Sequence, residues 1–254
     1  MRGTRGGIAV VVGTVLTAGV AIAAPTAPTS GCTVNGVRDQ LCLGTSGDDV
    51  IVGTNGDDYI VGSQGDDILR GLGGDDVLFG DDGDDVLIGG NGDDLMRGGA
   101  GKDTLRGMDG DDGVAGEDDD DRIYGGDGRD DLSGGRGDDS VRGLAGADTI
   151  FGDEDDDTCI GGPGRDVMRG GSGEDRMQGG TEADVIFGGS DDDDISGGRG
   201  ADVLDGEGGK DRVAGDEGRD ELRGGSDEDD LDGGEGRDTC EDDSSSQRTR
   251  CEED

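Results

Sequence analysis

Histidine and tryptophan are absent from this 254-residue chain, which has only three Phe, two Tyr and three Pro. Without His there is no side chain that ordinarily exchanges protons near neutral pH, so the commonest general base is missing. A zinc site of the usual type is excluded too, because imidazole is absent and only five Cys occur. Basic residues are scarce: 22 Lys and Arg face 65 Asp and Glu, a net charge of -43. A nucleic-acid binder needs a basic face, and so does a protein that lies on an anionic membrane. No apolar run follows the N-terminal segment, so membrane insertion of the remaining chain is not expected. High charge and few apolar residues ordinarily spell disorder. The order of the residues says otherwise.

From Gly47 the chain divides into nonapeptides without insertion or deletion: GDDVIVGTN (47–55), GDDYIVGSQ (56–64), GDDILRGLG (65–73), and so on through Ser244. There are 22 such units. The third position is Asp in all 22, the fifth is always Ile, Leu, Val, Met or Cys, and the seventh is Gly in 21, with Asp242 in the last. Phase kept over this length marks a repeat architecture rather than low complexity. One apolar residue per nine, flanked by two outward residues, predicts a three-residue strand such as Val50-Ile51-Val52 with its middle residue inward. The other six residues form a turn in which Gly supplies positive φ. Two strands and two turns close one coil every 18 residues, and eleven coils stacked ~4.8 Å apart span roughly 50 Å. The predicted fold class is all-β, a parallel β-roll (right-handed β-solenoid) of about 22 nonapeptide units.

Met1 to Ala23 reads as a secretory signal peptide: Arg2 and Arg5 precede an apolar stretch from Ile8, and Ala21-Ile22-Ala23 fits a small-x-small cleavage site. The mature chain would begin at Ala24. Residues 24–46 form a linker and N-terminal cap, 47–244 the roll, and 245–254 a C-terminal cap. Thr29-Ser30-Gly31-Cys32 faintly resembles a lipoprotein cleavage box, with Thr where such boxes have Leu. Cys32 and Cys42 precede the array and Cys240 and Cys251 end it. Exposed first and last strands need capping. Local pairing into two short disulfide loops would staple both ends, because the ends lie too far apart to bridge each other. Cys159 is left at an inward fifth position as a buried, inert thiol.

Read from the seventh position, the units follow G-G-x-G-x-D-x-U-x with U apolar, as in Gly89-Gly90-Asn91-Gly92-Asp93-Asp94-Leu95-Met96-Arg97. This resembles the calcium-binding repeat of the repeats-in-toxin (RTX, hemolysin-type) family. The resemblance implies a β-roll with multiple calcium ions lodged between adjacent turns, bound by the motif Asp carboxylate and turn carbonyls. Carried over, the ligands are Asp49, Asp58, Asp67, Asp76, Asp85, Asp94, Asp103, Asp112, Asp130, Asp139, Asp148, Asp166, Asp175, Asp184, Asp202, Asp211 and Asp220. Some units depart from the motif. Asp119, Asp155, Glu182, Asp191 and Asp227 replace the Gly at the first position, and Leu72, Met108 and Leu144 the second Gly of the pair, which puts individual sites in doubt. Gly113 weakens one strand.

Family members often carry such repeats beside a protease, lipase or pore-forming domain; the sequence shows no such partner domain. Every carboxylate sits in a copy of one environment, whereas catalysis needs groups with distinct environments. The reading is therefore a secreted calcium-binding repeat protein that folds on calcium and has no catalytic role. Its alternatives are a calcium-dependent adhesion or self-associating matrix or cell-surface protein, then a calcium-dependent hydrolase. For the former, the sixth positions of odd-numbered units read Val52, Arg70, Ile88, Arg106, Tyr124, Arg142, Ile160, Gln178, with apolar and Arg residues alternating up the row. The even units carry Phe79, Phe151 and Phe187 there. Both rows are candidate docking strips for a protein partner or another copy, against the plainer reading of solvated sheet faces.

Overall fold

The computed structural model describes residues 32–34, 37–38, 42–241 and 248–251. The expected signal segment and residues 24–31 lie outside the described residues. The chain is a parallel β-solenoid of about eleven turns, with no helix among the described residues.

The nonapeptide builds this by strict alternation. In the unit 65–73, Asp67, Leu69 and Gly71 are buried, while Arg70 and Leu72 are exposed. Third, fifth and seventh positions thus face inward, as the period of two in a strand requires. The fifth-position residues form one continuous core from Ile51 to Leu231. Odd-numbered units, with short capping strands at both ends, stack into a sheet of 15 strands, and even-numbered units into a sheet of 11. Partners are 18 residues apart throughout the roll: Ile68 faces Val86, Leu69 faces Leu87, Arg70 faces Ile88.

Most strands are longer than the sequence pattern predicts. Three-residue strands occur near the ends, at Val50–Val52, Glu221–Arg223 and Asp230–Asp232. Within the roll the strands run six or seven residues, as in Ile68–Gly73, Val86–Asn91 and Asp194–Gly200. The chain bends at the eighth position by taking positive φ, 134° at Gly90, yet stays in register with the coils beside it. Ladder pairing therefore survives the corner, which a count of apolar residues does not reveal.

Positive φ also recurs where Gly is replaced. Leu72, Met108 and Leu144 stand at 87°, 90° and 78°, and Asp119, Asp155, Glu182, Asp191 and Asp227 at 74–81°. Asp tolerates this region better than most residues; the fold imposes it on the others.

Both ends are stapled. Cys32 is bonded to Cys42 and Cys240 to Cys251, and Cys159 is free and buried. At the N-terminal end Thr33 and Val34 pair antiparallel with Val52 and Ile51. The reversed direction closes the odd-unit sheet against further parallel stacking. At the other end Asp230–Asp232 pairs with Arg248–Arg250, directly before Cys251.

Candidate cation sites along two aspartate columns

The third-position aspartates form two columns, one per corner of the roll. All 22 are buried, none more than 6% exposed. Each ties one coil to the coil before it. The N–H of Asp49 donates to Asp67 Oδ1 at 2.7 Å, that of Asp67 to Asp85 Oδ1 at 2.6 Å, and this column runs on to Asp211 and Asp229 at 3.0 Å, while the other runs from Asp58 and Asp76 at 2.7 Å to Asp220 and Asp238 at 2.9 Å. Second-position aspartates work in the opposite sense, since Asp48 Oδ1 accepts the N–H of Asp66 at 3.1 Å. Backbone donors of the turns are thus satisfied by carboxylates from both neighbouring coils, as buried N–H groups must be.

The other oxygen of the third-position carboxylate is the unusual one. In 18 aspartates, from Asp67 through Asp220, Oδ2 is buried and accepts no hydrogen bond. Buried polar atoms are nearly always paired, so a row of them calls for a ligand. Each Oδ2 looks onto the seventh-position Gly of the preceding unit. A Cβ added at Gly215 would sit 2.6 Å from Asp220 Oδ2 and 2.6 Å from the Gly233 carbonyl oxygen. At Gly53 it would sit 2.7 Å from both Asp58 Oδ2 and the Gly71 carbonyl oxygen. A carboxylate oxygen and a carbonyl of the next coil therefore converge where any larger residue would intrude, which explains the Gly.

The first member of each column differs. Thr45 donates to Asp49 Oδ2 from its N–H at 2.5 Å and its hydroxyl at 2.9 Å. Thr54 does the same for Asp58, at 2.6 and 2.9 Å. Among the proposed ligands these two have their second oxygen satisfied by the protein itself.

Burial dominates the acid–base behaviour. It raises the carboxyl pKa to about 6 at Asp85, Asp94, Asp112, Asp166, Asp175, Asp211 and Asp220. At Asp76, Asp103, Asp130, Asp139 and Asp184 the value is about 7. Asp67, Asp148 and Asp202 are also raised by burial. The backbone N–H bond opposes the rise throughout, and at most positions neighbouring carboxylates add to it.

The highest values, about 8, belong to Asp121, Asp157 and Asp193. These three sit in units whose first Gly is replaced, and the motif reading left them out of the ligand set. The structure gives them the same bonds, 2.7–2.9 Å from the N–H groups of Asp103, Asp139 and Asp175, and the same unpartnered Oδ2. The invariant third-position Asp is the sequence signal they share with the rest of the columns. Asp229 and Asp238, also left out, continue the columns, accepting from Asp211 and Asp220.

No group of three or more His, Cys, Asp or Glu side chains is arranged to hold a metal among the described residues. A cation on these columns would draw one carboxylate oxygen per site and take its remaining ligands from backbone carbonyls. Such an all-oxygen, adaptable donor set suits a hard cation of calcium's kind and is unsuited to zinc or copper.

A family model described as RTX calcium-binding nonapeptide repeat (4 copies) matches residues 43–78, 70–105, 79–114, 106–141, 133–168, 169–204 and 205–240. All seven spans begin a multiple of nine residues apart, in the phase of the Asp columns. No curated protein matches the chain.

Proposed function

The chain belongs to the RTX calcium-binding nonapeptide repeat family, and from that membership we propose that it is an exported calcium-binding structural protein whose roll forms only when cations occupy the Asp columns. The observation that carries this is the row of 18 buried, unpartnered Oδ2 atoms. Lifting one carboxyl from 3.8 to about 7 corresponds to roughly 4 kcal/mol of disfavoured ionisation. A whole domain is stable by only about 5–15 kcal/mol. Three or four such carboxylates, ionised and uncompensated, would cancel that margin. Calcium supplies a positive charge and a bond to the free oxygen, and binding confined to the folded form is folding free energy.

The protein's own groups do the rest. Oδ1 fixes the carboxylate against the preceding coil, the seventh-position Gly leaves room beside Oδ2, and the Gly carbonyl of the following coil points at the same place. The proposed ligands are the third-position aspartates from Asp67 to Asp220, including Asp121, Asp157 and Asp193. Asp49 and Asp58 join them only if Thr45 and Thr54 yield their bonds. Export fits the two disulfides, which persist in oxidising surroundings, and the sequence signal at 1–23. The columns repeat one environment, which supports a structural role rather than a catalytic one.

Far-ultraviolet circular dichroism of the mature chain tests this, first with chelator at neutral pH and then with millimolar calcium. Expected is a disordered spectrum and a large radius that convert cooperatively to a β spectrum and a compact form. A full β spectrum under chelator at pH 7.5 would refute the proposal.

A further inference from the structure

Outside the Asp columns the two faces carry a pattern twice the coil length. On the odd-unit sheet the sixth and eighth positions vary together: Arg70 goes with Leu72, Arg106 with Met108, Arg142 with Leu144. In the coils between, Ile88, Tyr124 and Ile160 go with Gly90, Gly126 and Gly162. Each combination returns every 36 residues, or every ~9.6 Å along the roll. On the even-unit sheet an acid returns at the eighth position with the same interval, as Asp81, Glu117 and Asp153, with Phe79 and Phe151 two residues before the first and last.

The odd-unit row is kept against local preference. Leu72, Met108 and Leu144 are 43–48% exposed and hold positive φ, where the intervening coils place Gly. Arg70, Arg106 and Arg142 are exposed and make no ion pair among the described residues, although acids outnumber bases threefold. Arg106 and Arg142 instead flank the Tyr124 ring, at 5.3 and 6.0 Å from its centre. Arginines on the even-unit sheet are spent internally, Arg97 on Glu117 and Arg169 on Glu207, each at 3.5 Å.

We propose that the odd-unit face of one molecule docks on the even-unit face of a second copy, with the two rolls side by side in the same sense. Arg70, Arg106 and Arg142 then meet Asp81, Glu117 and Asp153 at matched pitch, with Glu117 sharing its carboxylate between Arg97 and the incoming Arg and Asp153 between the Ser133 hydroxyl and the incoming Arg, and the Leu and Met side chains meet Phe79 and Phe151. Complementary charge and a shared repeat length set the register. The contact is heterologous, so it does not close and extends into rows. Arg70 to Arg142 spans four coils, and a six-residue strand is ~20 Å wide, so the core of the contact covers roughly 400 Å² per partner. That is about half of a standard interface, and each contact is weak. The net charge opposes association, but physiological salt screens it beyond ~8 Å while touching pairs persist. The proposal needs only a folded roll, whatever ion folds it.

Sedimentation velocity of the folded chain, with its β spectrum checked in the same buffer, reads this out across a wide concentration range. Average mass should rise with concentration. Arg70→Glu/Arg106→Glu/Arg142→Glu should sediment as a monomer, and so should Asp81→Arg/Glu117→Arg/Asp153→Arg. An equimolar mixture of the two variants should associate again, since each restores the other's missing complement. A monomeric parent chain, association unchanged in either variant, or a mixture that stays monomeric would each overturn the proposal. Should a charge-reversed variant lose its β spectrum, Leu72→Gly/Met108→Gly/Leu144→Gly removes the apolar row while easing the backbone, and undiminished association there would overturn it equally.

Discussion

Replacing Asp103, Asp121 and Asp139 together by Asn separates the two duties of the buried carboxylates. The three are consecutive in one column, with pKa values of about 7, about 8 and about 7. Asn keeps an oxygen to accept the N–H of the preceding coil, which donates at 2.7 Å in all three cases, and it removes the charge. Because the folded values lie above the ordinary 3.8, the folded roll holds more protons than the unfolded chain between about pH 4 and 8. Its metal-free stability is therefore fully present below about pH 4 and drains away as pH rises through 6 to 8. At pH 7 each of the three costs roughly 4 kcal/mol, so the triple substitution relieves about 10–13 kcal/mol. Some 18 carboxylates titrating together change the stability by about 24 kcal/mol per pH unit where the dependence is steepest. Removing three of these groups makes that loss less steep, so the pH at which the chelated roll unfolds should rise. In calcium the sign reverses: three charged ligands are gone, and the calcium midpoint for folding should rise. Circular dichroism over a pH series in chelator, and over a calcium series at pH 7.5, measures both midpoints. A lower pH midpoint in chelator, or an unmoved calcium midpoint, would refute the reasoning.

Gly215→Ala should put a methyl group between Asp220 Oδ2 and the Gly233 carbonyl, both 2.6 Å from its position. A loss of about 1–3 kcal/mol, the usual cost of overpacking, is expected in thermal unfolding with calcium, and an unchanged melting temperature would contradict the cradle. Burial holds the Cys159 thiol well above its ordinary pKa, so it should resist a thiol reagent in calcium and react after chelation at neutral pH. Labelling at equal rates in both would mean that the core stays open. The exported chain should begin at Ala24 by N-terminal sequencing, with a chain retaining Met1 counting against the signal reading. In calcium, the required calcium concentration should fall as pH rises, since protons and cations compete for the same oxygens; a rise would place the ions elsewhere.

The period of nine made the coil, the core and the Asp columns legible before any coordinates, because each rests on a residue type recurring at one position. Ile51 through Leu231 stand where alternation places them. Less visible was the second duty of the third-position Asp. That Asp67 Oδ1 binds the N–H of Asp49 depends on stacking between coils 18 residues apart, and no local pattern encodes it. The motif-based ligand set left out Asp121, Asp157 and Asp193, which the structure places in the same columns with the same unpartnered Oδ2. Asp119, Asp155 and Asp191 replace the first-position Gly there, adopt positive φ and leave the neighbouring carboxylate in place. Asp49 and Asp58 match the motif too, but there the threonine neighbours already donate to Oδ2. Strand length was underestimated because ladder pairing continues beyond the corner at the eighth position.

The 18-residue coil also sets a rule of inheritance for this gene. A loss or gain of nine residues within the array leaves every Asp, aliphatic residue and Gly in phase, and the roll would still close. Every downstream unit, however, would cross to the opposite sheet, carrying Arg142 to the side of Phe79 and Glu154 to the side of Arg70. Exchange between misaligned copies is silent to the interior in steps of nine, to the sidedness of the surface in steps of 18, and to the alternating rows only in steps of 36. The core tolerates recombination that the exterior does not, so changes in length among descendants of this sequence should cluster at the larger steps wherever the faces are under selection.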